Sequence, residues 1–222
     1  MNAIAPIDEC LDMIIVGAGI SGIGMAVHMQ RDCPDKRFAI LERRDQIGGT
    51  WDLFRYPGIR SDSDMHTLGF SFAPWKHEKS IADGPAILDY LNDIADQYDL
   101  RRRMRFGQKV ISADWDSKTA RWTLICEQDD GSRQQLQARF LFLGSGYYDY
   151  DEPYDAQFKG RDTFKGEIIH PQFWPKDFDH RGKKVVVIGS GATAVTIVPS
   201  MARSGAAHVT QLQRTPTYMV SR

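Results

Sequence analysis

Only three cysteines occur in the 222 residues, Cys10, Cys33 and Cys126, and no two of them form a CxxC pair. That excludes a zinc knuckle and the redox dithiol of a flavin disulfide reductase. An odd set of widely spaced thiols fits a reducing cytoplasm better than a disulfide framework. No apolar run approaches the roughly 18 residues of a transmembrane segment. The first ten residues hold Asp8 and Glu9 but neither Lys nor Arg, so the basic start of a secretion signal is missing. Neither charge is in excess: 28 Lys and Arg face 29 Asp and Glu, for a net charge of -1. A chain so balanced has no electrostatic footprint for nucleic acid or an acidic membrane surface. Its longest basic run, Arg101-Arg102-Arg103, reads as a solvated helix end.

What the chain does have is a repeated pattern of apolar strand, glycine turn and helix. Residues 13–16 are a short apolar run ending in Gly17, which reads as a buried parallel strand. Residues 20–30 have helical periodicity, with Ile20, Ile23, Ala26 and Val27 on one face. Residues 37–41 form a second strand closed by Glu42. Residues 43–74 are rich in Gly, Pro, Asp and aromatics, and read as a long functional excursion rather than a packed element. A helix follows over residues 84–98, with Ile87, Leu88, Leu91, Ile94 and Ala95 on one side. Residues 109–116 and 121–127, with the Asp129-Asp130-Gly131 turn, predict a small antiparallel meander. A strand over 139–143 stops at Gly144-Ser145-Gly146, and residues 147–181 read as a connection. The opening pattern then returns: strand 184–188, a glycine turn, a helix, strand 208–213. The expected fold is α/β. A Rossmann-like domain with a β-meander spans residues 10–155, a linker 156–182, and the first βαβ unit of a second Rossmann domain 183–222.

The two glycine turns end in opposite charges. The first is Gly17-Ala18-Gly19-Ile20-Ser21-Gly22, between a strand and a helix, the context that gives GxGxxG its force. Gly17 permits the tight turn, Gly19 lets the backbone approach a pyrophosphate, and Gly22 permits close helix–strand packing. The helix start offers free amides to phosphate. Glu42 follows Gly17 by 25 residues and ends the second strand. A carboxylate there accepts ribose hydroxyls and repels a 2′-phosphate, which selects FAD or NAD. The second turn is Gly189-Ser190-Gly191-Ala192-Thr193-Ala194, with Ala in the third glycine position. Its counterpart of Glu42 is Arg214, again 25 residues on, followed by Thr215. A guanidinium pairs with phosphate, so this turn is expected to prefer NADPH. An acidic-ended turn followed by a basic-ended one implies FAD first, NADPH second, and hydride passing from one to the other.

Between the turns lie longer strings. Gly48-Gly49-Thr50-Trp51 carries a double glycine that lets the backbone lie against a flat cofactor. Phe164-Lys165-Gly166-Glu167-Ile168-Ile169-His170-Pro171-Gln172-Phe173-Trp174-Pro175 reads F-x-G-x-x-x-H-x-x-x-W-P, and Tyr56 to Asp62 reads Y-P-G-x-R-x-D. With these strings the chain resembles the class B flavoprotein monooxygenases, from Met13 onward. Trp174-Pro175 is similar to the type I Baeyer–Villiger branch, since the flavin-containing branch usually ends the motif in Tyr or Phe. The run from Ser61 to Phe70, with residues 189–194, looks most similar to the ethionamide-activating type.

The resemblance implies FAD contacts from Gly17, Gly19, Ile20, Ser21, Gly22, Glu42, Gly49, Thr50, Trp51 and Val110. It implies NADPH contacts from residues 189–194, Arg214 and Thr215, and names Arg60-Ser61-Asp62 as the segment that meets bound NADP. Asp62 becomes a supporting catalytic residue near the flavin, beside an active-site arginine that matches no residue here, Arg222 included. Phe164, Gly166, His170 and Trp174 form the fingerprint, with His170 in a hinge role; Trp51, Trp75 and Trp174 also fit as plain core aromatics. The implied activity is insertion of one oxygen atom from dioxygen into ketones, or oxidation of sulfides. A flavin-containing monooxygenase acting on nitrogen or sulfur shares both turns, and a non-catalytic FAD-binding remnant stays open. Because Arg222 falls 33 residues past Gly189, the chain is expected to be a fragment or a truncated gene product, inactive alone.

Overall fold

The computed structural model describes residues 4–5 and 9–218; Asp8 and Arg222 lie outside them. The elements run in the order β1 (Ile4–Ala5), β2 (Cys10–Val16), α1 (Ile20–Asp32), β3 (Phe38–Leu41), α2 (Thr50–Leu53), α3 (Met65–Leu68) and α4 (Gly84–Gln97). Then come β4 (Met104–Arg105), β5 (Lys109–Asp116), β6 (Arg121–Glu127), β7 (Arg133–Leu143), β8 (Lys184–Ile188), α5 (Ala192–Arg203) and β9 (His208–Leu212). The chain divides into two compact units, one of residues up to Asp52 with Ile87–Tyr147, the other of Leu53–Ala86 with the residues from Tyr148 on. No helix among the described residues is long and apolar enough to cross a membrane.

The first unit is built on a seven-stranded sheet in the order β4-β3-β2-β7-β6-β5, with β1 beside β7. β2 lies between β3 and β7 and runs parallel to both, Ile14 opposite Ala39 on one side and Leu141 on the other. A strand enclosed this way has little use for polar residues, and Ile14 and Ile15 are wholly buried. Alternation sends Ile14, Ala39 and Leu41 into a core with Leu124, Cys126, Leu136 and Ala138 of the meander. Ile15 points the other way, where α1 lies and a Cβ on Gly22 would meet its Cγ2 at 3.4 Å.

β7 joins the two halves of this sheet. Its first part pairs antiparallel with β6, Leu136 opposite Leu124, and its last part pairs parallel with β2, Leu143 opposite Val16. The strand therefore begins at Arg133, six residues before the apolar run that marks it in the sequence. The early part is legible only as alternation: Leu136 and Ala138 are buried, while Gln135 and Gln137 are interposed between them. Arg101-Arg102-Arg103 forms a short 3-10 turn after α4, with Arg101 paired to Asp96 and Arg102 to Asp99.

In the second unit β8 and β9 pair in parallel, Val185 opposite Val209, and α5 links them. One face of this pair packs with α5 and the loop aromatics: Phe54, Tyr56, Ile197 and Met201 form a core against which Trp174, Phe178, Val185, Val187 and Val209 pack. Residues 43–74 are thus more packed than their composition indicates. Ile47, Phe54, Tyr56 and Met65 are buried, since aromatics spaced between turns supply apolar surface that a loop of this length otherwise lacks.

Cys126 gives a direct check on the first core. Its side chain is fully buried and burial pushes the thiol pKa from 9.0 up to about 11. Its thiolate fraction near neutral pH falls about a hundredfold, in addition to the steric block. Disulfide-exchange labelling of native protein is expected to modify Cys126 only on unfolding; modification at the denatured rate would contradict this placement of the meander.

Candidate functional site

The first glycine turn is held by backbone. Gly17 adopts φ +98°, its N–H donates to the Leu41 carbonyl at 2.7 Å, and a Cβ there would lie 2.5 Å from the Gly144 oxygen. A Cβ on Gly22 would overlap the Gly17 carbonyl oxygen, so only glycine lets α1 start this close to β2. Gly19 differs. It is extended, with φ -82° and ψ -171°, and the nearest neighbour of its would-be Cβ is Gly49 Cα at an ordinary 3.5 Å. Protein packing therefore requires glycine at 17 and 22 but not at 19. Ile23 N–H donates to the Gly19 carbonyl at 3.0 Å, which leaves the amides before it without helical acceptors. α1 has no side-chain cap and no acid in its first turn.

Two further segments meet this turn. Gly48 N–H donates to the Ala18 carbonyl at 2.9 Å, so Gly48 and Gly49, at φ +111° and +55°, lie beside Gly19. Thr50 and Trp51 then open α2, half-buried. Glu42, at the end of β3, is buried; Oε2 accepts the Ala18 N–H at 2.8 Å and Oε1 the Arg44 N–H at 3.0 Å. Arg44 Nη2 in turn pairs with the buried Asp52 at 2.6 Å. Each Glu42 oxygen retains a second lone pair, so the carboxylate both closes the turn and can accept further hydroxyls. Val110 stands apart from this group, on β5 at the edge of the meander core, opposite Cys126.

The second turn repeats the first. Gly189, φ +136°, donates its N–H to the Leu212 carbonyl at 2.8 Å, as Gly17 does to Leu41. Gly191 caps α5 with φ -77° and ψ -179°, again without a side-chain cap or an acid in the first turn, and Val195 N–H donates to its carbonyl at 3.1 Å. A Cβ on Gly189 or Gly191 would meet nothing within 4 Å. Ser190, Ala192 and Thr193 line this start, and Ala194 is buried behind it. Arg214 is exposed just past β9 and has no ion pair among the described residues; Thr215 beside it is also exposed. Thr217 Oγ1 donates to the Ser190 carbonyl at 2.6 Å, which folds the segment after β9 back over the turn.

The middle strings fall into the second unit. Ser61 is buried and reciprocally bonded to Ala82, whereas Arg60 and Asp62 on either side of it are exposed. The residue that caps α3 is Asp64, which accepts the Thr67 N–H at 2.9 Å; Asp62 is not a cap. In the fingerprint, His170 Nδ1 accepts the Gln172 N–H at 3.2 Å and caps a 3-10 turn. Trp174 meets Phe178 edge-on with centroids 5.6 Å apart. Phe164 is exposed, with its ring in the space a Cβ on Gly166 would take.

Sequence reasoning missed four residues here. Gly144 packs on both sides of the first turn: its would-be Cβ lies 3.1 Å from Gly22 N and Val16 O. Its signal is a third GxG after a strand. Thr217 and the Arg44–Asp52 pair have no such signature.

These features define a protein with two dinucleotide-type strand–turn–helix units, one ending in an acid and one in a base. A family model described as pyridine nucleotide-disulphide oxidoreductase matches residues 14–221, and the chain belongs to that family. Among curated proteins it is 58% identical over 213 residues to the FAD-containing monooxygenase EthA of Mycolicibacterium smegmatis, covering 96% of this chain and 43% of that protein. A solved oxidized steroid monooxygenase bound to NADP superposes with TM-score 0.82 at 35% identity, over 96% of this chain and 40% of that one. Cyclohexanone monooxygenase from Rhodococcus sp. Phi1 bound to NADP+ gives 0.79 at 33%, over 97% and 40%. The resemblance drawn from the motifs holds, and the chain spans about two fifths of the length of these relatives. The three cysteines, Cys10, Cys33 and Cys126, are far apart in the sequence and form no CxxC pair.

The different demands on the three glycines are measurable. Gly22→Ala is expected to lower unfolding free energy by about 1–3 kcal/mol, the usual cost of overpacking. Gly19→Ala should stay within about 1 kcal/mol of the parent, because its Cβ has room. Urea unfolding compares them; equal losses would contradict the packing described for α1.

Proposed function

We propose that this chain is the dinucleotide-binding front portion of an FAD-containing, NADPH-dependent monooxygenase, with FAD on the first turn and NADPH on the second. The observation that carries the reading is the reversal of charge at one register, Glu42 after the first turn and Arg214 after the second, on turns of matching backbone geometry. The chain's residues fit FAD: Gly19 is a glycine that the protein's own packing does not need, at an uncapped helix start, facing a second glycine loop. There a pyrophosphate explains what packing leaves unexplained.

In this reading the amides of Ile20, Ser21 and Gly22 receive the FAD phosphates, Glu42 accepts the ribose hydroxyls, and Gly49, Thr50, Trp51 and Val110 complete the contacts. Residues 189–194 hold the NADPH pyrophosphate, Arg214 and Thr215 its 2′-phosphate, and Arg60, Ser61 and Asp62 lie along the nucleotide. When bound, the two cofactors supply the hydride and the chemistry with dioxygen; the protein binds, orients and excludes water. The substrate class is a ketone or a sulfide, and the compartment the cytoplasm. The corresponding division is an FAD part over residues 10–155, a linker over 156–182 and an NADPH part from 183.

Arg214→Ala tests the second assignment. Loss of charge-assisted bonds to phosphate is worth about 1.5–3 kcal/mol, on the order of tenfold to a hundredfold in affinity. Titration should show that loss for NADP+ and almost none for NAD+; equal weakening would mean that Arg214 does not touch the 2′-phosphate. Among the described residues Asp62 makes no side-chain hydrogen bond or ion pair, and Asp64 does the capping. In the complete enzyme Asp62→Ala is therefore expected to keep the parent melting temperature and flavin content while ketone oxidation slows strongly. Unchanged turnover would remove Asp62 from the chemistry.

A further inference from the structure

The loop that carries Arg60 and Asp62 is seated directly on the helix of the second turn. Gly58 adopts φ +83°, and a Cβ there would lie 2.7 Å from the Thr196 carbonyl oxygen and 2.9 Å from Ser200 Cβ. Both the left-handed backbone and the close approach exclude a side chain. Thr196 and Ser200 are one turn apart on α5, so Gly58 rests on a single face of that helix. Phe54 and Tyr56, just before it, pack with Ile197 and Met201 of the same helix.

The far side of the loop is closed as well. Ser61 N–H donates to the Ala82 carbonyl at 2.8 Å, Ala82 N–H to Ser61 Oγ at 3.1 Å, and Gly84 N–H to the Ile59 carbonyl at 2.8 Å. The loop is thus clamped between residues 82–84 and α5. The side chains of Arg60 and Asp62 face solvent and make no hydrogen bond or ion pair among the described residues. α5 has the second glycine turn at its N-terminus and this loop on its middle.

We propose that Gly58 is a positioning residue for the second dinucleotide: it seats the loop on α5 so that Arg60 and Asp62 are fixed relative to the turn at residues 189–194. Binding at that turn and order in residues 55–62 are then one event, carried by a single rigid helix. This rests on the reading of the second turn as an NADPH site.

Hydrogen–deuterium exchange on the full chain, with and without NADP+, tests it. In the parent, NADP+ should slow exchange in both residues 189–196 and residues 55–62. Gly58→Ala should melt at a lower temperature than the parent because of the strain, yet fold and keep its flavin, keep NADP+ protection at 189–196, lose it at 55–62, and bind NADP+ roughly tenfold more weakly. Ser200→Leu presses on the loop from the α5 side without altering the loop's backbone, and should do the same even if Gly58→Ala does not fold. Ser200→Ala should behave as the parent. Protection at 189–196 without protection at 55–62 in the parent would overturn the coupling and leave the nucleotide site standing. So would parent-like affinity and protection in folded Gly58→Ala or Ser200→Leu. Protection at neither segment would overturn the NADPH reading, and the coupling with it.

Discussion

The contact on which the first unit depends is backbone against backbone, where the Gly17 carbonyl meets Gly22 at the start of α1. A Cβ at position 22 has no room, and Gly144 from the end of β7 closes the same point from the other side. β2, β3 and β7 all end here, joined through Gly17 N–H to Leu41 and Gly144 N–H to Val16. Glu42 fastens the turn with a bond to Ala18 that is buried in the protein. Packing this tight fixes the direction of α1, and so aims its uncapped amides at one point in front of Gly19.

The second unit uses the same construction with less enclosure. Gly189 and Gly191 have open space where Gly17 has the Gly144 carbonyl. About half of its core comes from outside the βαβ unit, including Phe54 and Tyr56 of the loop before α3 and Trp174 of the fingerprint. The fingerprint thus has a physical role in this chain: His170 caps a short turn, Gln172 is buried and bonds the Asp149 carbonyl at 2.6 Å, and Trp174 packs into the core.

Most of the architecture was legible because its signals are local. Apolar runs gave β2, β3 and β8, period-3.6 faces gave α1 and α4, and the glycine spacing gave both turns. The first part of β7 was hidden because half of its side chains are polar and face away from the core. The seating of Gly58 on α5 was hidden for a different reason: it joins residues about 140 apart, and no periodicity records such a contact. The sequence named Glu42 and Arg214 by counting from a glycine, yet gave no hint that Glu42 is itself a hydrogen-bonded part of the turn. Asp62 and Asp64 look alike in the sequence; only the geometry separates the cap from the free carboxylate.

If the amides in front of Gly19 receive the pyrophosphate of FAD, as proposed, flavin content reports it. The purified chain should carry flavin absorbing near the visible flavin maximum, released on denaturation as FAD rather than FMN. Gly19→Val should fold with the parent's far-ultraviolet spectrum and carry none, because its methyls fill the phosphate space. A folded Gly19→Val protein as yellow as the parent would place the flavin elsewhere than on the first glycine turn.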